Sequence, residues 1–176
     1  TEKIKLNISS DIFKIKKKFF GFEEIDYEII AGLIVMELTI NHIEYLKESN
    51  IDFNQTIKLL DYIKRQNRFD SILIITNVLQ GSYISSTDNI QPGLIIKKIN
   101  ERGVSNLKEF REAFLNPFKL NSKYYFILET ENFNKIIVEI IKINEEELSL
   151  SERYNYKISN LSKSINYDSK KYLIKT

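Results

Sequence analysis

The sequence predicts an α+β fold, and three observations carry that expectation. Short runs rich in aliphatic and aromatic residues recur at residues 29–36, 72–79, 94–99, 124–130 and 136–143, most of them bounded by turn-forming residues. One helix, over 106–114, carries both its own start signal and its own stop signal. Between the first two apolar runs lies a stretch of helical character, residues 41–69. A chain of 176 residues suits one domain with appended segments, and at that size about two-thirds of the unfolded surface becomes buried.

Taken in order, Lys3 to Ile8 alternate with the period of a half-buried strand until Ser9, Ser10 and Asp11 interrupt them. Residues 12–27 mix Phe13, Phe19, Phe20 and Phe22 with Lys14, Lys16, Lys17 and Lys18, which reads as a solvated linker face. The run at 29–36 is short and apolar throughout, the pattern of a strand buried on both faces. Within 41–69, a short helical turn covers His42 to Lys47. Asp52 or Asn54 then caps a helix on which Ile57, Leu60 and Ile63 repeat at helical spacing. In Gln91-Pro92-Gly93-Leu94, Pro and Gly hold the central positions of a type II turn, and Asn100 to Gly103 makes a tight turn. Asn106 caps the next helix with Glu109 three residues on, Leu107, Phe110 and Phe114 form its apolar face, and Pro117 stops it. Glu131 to Asn134 reads as a hairpin turn between the last two strands, and a polar tail follows Asn144.

Composition removes several function classes. Lys+Arg of 26 against Asp+Glu of 24 leaves a net charge of +2, so no binding of nucleic acid by bulk charge is expected. Ile, Asn and Lys dominate, with 21 Lys to 5 Arg; their codons are AT-rich, and the Asn content is therefore not read as a prion-like segment. With no Cys there is no disulfide, thiolate metal site or cysteine nucleophile; a reducing compartment is permitted, and the compartment itself stays unknown. The single histidine, His42, has Asn41 and Glu44 nearby but no nucleophile elbow or metal-spaced partner, and is expected at a helix start. Glu145, Glu146 and Glu147 are expected to be solvated. No catalytic constellation, metal site or cofactor site is expected. The 29–36 run is too short to span a bilayer, and the start at Thr1 suggests a piece of a longer protein.

The stretch from Ile72 to Phe114 resembles a PDZ domain. Its pieces stand in the family's order: a strand, Leu79-Gln80-Gly81-Ser82, Gln91-Pro92-Gly93-Leu94, the strand to Asn100, and Val104-Ser105-Asn106-Leu107 opening the helix. Ile30-Ala31-Gly32-Leu33-Ile34 looks like the family's carboxylate-binding loop, a turn that leads into the second strand. The lead-in from Phe19 to Tyr27, the stretch Tyr27 to Val35 and the insertion of about thirty residues are similar to the second PDZ domain of plant-type Deg proteases. Three departures stand out: Leu94 replaces the Asp usual after Pro-Gly, Asn100 to Gly103 expands the usual Asn-Gly turn, and no basic residue directly precedes the loop.

The resemblance implies a small antiparallel β-sandwich or partial barrel capped by a helix, with a helical insertion at 41–69 and a C-terminal extension. Residues 1–10 would end a preceding PDZ domain, 11–27 would link, 28–144 would form the PDZ-like domain and 145–176 the polar extension. It implies a carboxylate-binding loop of Ala31, Gly32 and Leu33, and a groove lined by Ile34, Met36, Leu107, Arg111 and Phe114. For Gly32 two readings stand open: its amide cradles a carboxylate, or its missing side chain relieves packing. The implied role is a non-catalytic regulatory or oligomerisation module of an ATP-independent Deg-type serine protease, with the trypsin-like domain upstream. Its partner would be a protein C-terminus, an extended segment or another subunit. The alternative is a stand-alone PDZ-like adaptor.

Overall fold

A computed structural model describes residues 12–19, 21–49, 53–87 and 89–165, with the side chains of residues 53–56 left aside. The expected strand at residues 3–8, and with it the closing strand of a preceding domain, lies outside the described residues. The architecture is α+β, a curled antiparallel half-barrel with helices packed on it, as expected.

The strands are β1 (Tyr27–Ile30), β2 (Leu33–Glu37), β3 (Leu73–Val78), β4 (Ile95–Ile99), β5 (Arg102–Gly103), β6 (Phe118–Leu120), β7 (Lys123–Thr130) and β8 (Lys135–Glu139). The helices are α1 (Ile40–Glu48), α2 (Phe53–Tyr62), α3 (Leu107–Phe114) and α4 (Ile140–Tyr154). The sheet runs β1-β2-β3-β4-β7-β6, with β5 added to β4 and β8 added to β7.

Where turn chemistry is explicit in the sequence, the chain obeys it. Gly93 takes a positive φ of 94°, as a type II turn requires. Asn106 accepts a hydrogen bond from Glu109 N at 2.9 Å and starts α3, which ends before Pro117. Asn100 occupies the left-handed region at the β4–β5 turn. It is buried there because its amide donates to Ala113 O and accepts from Ile127 N, tying the turn to α3 and β7.

The two faces of the sheet carry separate cores. Leu33, Val35, Ile75 and Ile96 pack against Phe110 and Phe114 of α3, with Ile143 of α4 and Leu161 in the same cluster. On the opposite face Leu38, Ile74 and Ile95 pack against Ile43 and Leu46 of α1, Leu59 of α2 and Ile15 of the lead-in. The helical insertion therefore covers the face away from α3.

Three expectations need correction. The run at 29–36 is a hairpin, β1 and β2, bent at Ala31-Gly32. Among the described side chains of α2 Leu59 is the buried one, while Ile57 and Leu60 are exposed. Ile63, just past the helix, packs on the Leu59 cluster as expected, so the inward face is shifted toward Leu59, where α1 and β4 meet it. The run at 136–143 leaves the strand at Glu139, and Ile140 begins α4. That helix carries the acidic triplet with it, and its 3.6-residue period sets Glu147 on the inner face with Ile143 and Leu150. Glu147 is 1 % exposed, not solvated.

Candidate functional site

The site is built around the β1–β2 hairpin and the flank of α3. Ala31 and Gly32 both take left-handed φ, 52° and 74°, the conformation of a two-residue type I′ turn, which matches the twist of paired strands. Pairing runs the full length of the hairpin, from Ile30 opposite Leu33 to Tyr27 opposite Met36. The turn is packed inward. Gly32 O accepts from Leu79 N at 2.7 Å, Ala31 and Leu33 are fully buried, and a Cβ at Gly32 would collide with the side chain of Ser82.

Beside the hairpin stands α3. Leu107, Phe110 and Phe114 face the core, and Phe114 lies between Phe110 and Phe126. Arg111 occupies the flank of the helix and reaches β1. Its Nε donates to Glu28 Oε1 at 2.6 Å, and its two terminal nitrogens hold both oxygens of Asp26. That fork keeps the Asp26 carboxyl below its ordinary range. Glu28 is 6 % exposed, with Oε2 unpartnered. At the start of α3, Leu107 N donates to Glu37 Oε1. Burial on β1 alternates, Glu28 and Ile30 inward and Tyr27 outward.

The protein-family model for the PDZ domain matches residues 16–163. The chain belongs to the PDZ domain family. No curated protein matches the sequence. A PDZ domain is a non-catalytic protein–protein interaction module, and its usual mode is to add an extended peptide to an exposed sheet edge.

In this PDZ domain both edges of β2 are taken, one by β3 and the other by β1. The β1 strand runs antiparallel to β2 into the Ala31-Gly32 turn, with Glu28 bonded to α3. It thus lies in the place and direction of an added peptide. The residues expected to form the site are brought together only in part. Leu33 alternates with Ile34, so Leu33 and Val35 face α3 while Ile34 and Met36 point to the other side of the strand. Phe114 belongs to the core rather than to a groove wall. Arg111 faces the groove position and is occupied there by Asp26 and Glu28. The structure supports the packing account of Gly32, through Ser82.

Sequence reasoning passed over Asp26, Glu28 and Ser82. The first two stand two apart, the spacing of one strand face, but the sequence alone does not say which cation they meet. His42 stands at the start of α1 as expected, in a reciprocal cap: His42 N donates to Thr39 Oγ1, and Thr39 N donates to His42 Nδ1. Burial lowers its pKa to about 4. Among the described residues no group of carboxylates and histidine is arranged to hold a metal ion, and no helix is long and apolar enough to cross a membrane.

Proposed function

We propose that this PDZ domain is a regulatory and assembly module of a Deg-type serine protease, working through contacts between subunits rather than by capture of free protein C-termini. One observation carries the second half of that reading. The β1 strand already pairs with the edge of β2 that an incoming peptide would use, and Arg111 pins it there through Asp26 and Glu28. A free peptide would have to displace a covalently attached strand, which is present at high effective concentration. The exposed apolar lead-in, Phe19, Phe22 and Ile25 with Tyr27, supports contact with another subunit instead. The Deg parentage rests on the resemblance of Tyr27 to Val35 and on the insertion that follows.

Light scattering across a wide concentration range tests the assembly. The chain should self-associate, and Phe19→Ser with Phe22→Ser should return it to a monomer; a strict monomer at every concentration rejects assembly through this chain. The parentage is tested by the sequence encoded ahead of Thr1. A His, an Asp and a Gly-Asn-Ser-Gly segment there support the protease, and their absence leaves the stand-alone adaptor.

A further inference from the structure

A second site lies where β1 ends. Beyond Tyr27, the lead-in, the end of β2, the start of α1 and the start of α3 enclose a cavity of about 160 Å³. Its apolar wall is formed by Ile25, Met36, Leu38 and Leu107. A cavity of roughly 150 Å³ holds a benzene-sized group, so the space suits one side chain or one small molecule.

The polar lining is unbalanced. Asp26 and Glu37 both reach the cavity, but their oxygens are engaged. Arg111 holds both oxygens of Asp26, and Glu37 accepts from Leu107 N at 3.2 Å and from Ser71 Oγ at 3.1 Å. The donors are not matched in this way. Lys14 and Lys18 line the same cavity, and neither stands within ion-pair distance of a carboxylate among the described residues, although the charges of Asp26 and Glu23 lie near Lys18; Lys18 Nζ makes a long 3.4 Å contact to Glu24 O. His42 adds a third donor. Its Nδ1 accepts from Thr39 N, so the neutral ring carries its proton on Nε2, and that N–H has no partner among the described residues.

We infer that this cavity is a ligand site for a carboxylate carried on a short aliphatic stem. The stem would lie on Met36, Leu38 and Leu107, and the carboxylate would meet Lys14, Lys18 and the His42 Nε2–H. A cation would meet two lysines, and a wholly apolar guest would offer no acceptor to the lysines or to the His42 N–H. The carboxylate can be that of an acidic side chain, a chain terminus or a free acid. The site does not use the edge of β2, and it stands whether or not the chain belongs to a protease.

Titration of the intact chain with 4-methylpentanoate, and separately with its neutral amide, tests the assignment by nuclear magnetic resonance. The acid should shift the Met36 methyl and the His42 Nε2–H saturably, with a dissociation constant on the order of 1–10 mM for so small a ligand. The amide should bind about tenfold more weakly, and Lys14→Glu with Lys18→Glu should cost the acid at least about tenfold. His42→Gln, which keeps the Thr39 cap, should weaken it severalfold. Equal binding of acid and amide, unchanged affinity in the lysine variant, or no saturable shift at Met36 and His42 overturns the site. Two peptides then identify the source: an amidated one with an internal glutamate and an acid-free one ending in a free leucine. Binding of the first assigns a side chain and of the second a terminus, while response to the free acid alone assigns a small molecule. Because self-association is read by light scattering, failure here and failure of the assembly reading are separately visible.

Discussion

Glu28 and Glu147 are both nearly excluded from water, at 6 % and 1 % exposure, and each has its Oε2 without a partner. Their remaining oxygens meet different chemistry. Glu28 faces the Arg111 guanidinium at 2.6 Å, while Glu147 accepts from the neutral Tyr156 phenol at 3.0 Å, with the Ser162 hydroxyl and the charge of Glu146 beside it. At Glu28 the contact with a cation ties β1 to α3. Without a cation, burial favours the acid: it pushes Glu147 up to about 7, Glu146 adds to the rise, and the Tyr156 hydrogen bond opposes it. The hairpin is therefore held by a charge pair, whereas the segment after α4 is held by a group that ionises near neutrality.

Removing Arg111 should break the contrast most strongly. Arg111→Ala leaves Glu28 buried and unpaired, and should cost roughly 2–4 kcal/mol in urea unfolding at pH 7, less than a fully buried pair because Arg111 is one-third exposed. Hydrogen exchange should speed first in β1. Adding Glu28→Gln should recover much of the loss; if it recovers none, the pair is not what holds the hairpin.

Glu147→Gln should act in the opposite direction. The folded chain keeps a proton on Glu147 that the unfolded chain releases between about 4.5 and 7, so stability falls as pH rises through that window. The amide removes this dependence. We expect a gain of roughly 1–3 kcal/mol at pH 8 and little change at pH 4, read from urea midpoints at both values. An unchanged slope with pH would show that Glu147 is ordinary.

The smallest effect is expected from Tyr156→Phe, which strips Glu147 of its hydrogen-bond donor. It should destabilise by about 1 kcal/mol at pH 8 and by less at pH 5, where the acid is protonated, and hydrogen exchange across 156–165 should report it.

These two carboxylates also mark what the sequence could and could not disclose. Helix α3 was legible because Asn106, Glu109 and Pro117 act within a few residues of the backbone they control. The turns at Gly93 and at Glu131 to Asn134 were legible for the same reason. The hairpin at Ala31-Gly32 was hidden in the residue pattern, since apolar residues continue through it on both sides and no polar turn-former announces it; only the family resemblance suggested a turn. Residues 136–143 satisfy strand and helix periods at once, so the change at Ile140 was invisible, and the burial of Glu147 followed from that change. Of the expected groove residues, Arg111 stands on the flank of α3. Its engagement by Asp26 and Glu28 depends on a strand pairing that no local signal encodes.

The β1 strand has one more consequence, for behaviour in a crowded solution. The sheet path ends in β1 at one side and β6 at the other, strands of four and three residues. An open strand edge is a template on which another chain can pair, and its danger grows with its length. Had β2 stayed unpaired, it would have offered an apolar edge from Leu33 to Glu37. By folding back over β2, the hairpin replaces that edge with a shorter one that carries Tyr27 and Glu28, and so trims the sheet against uncontrolled strand-to-strand growth.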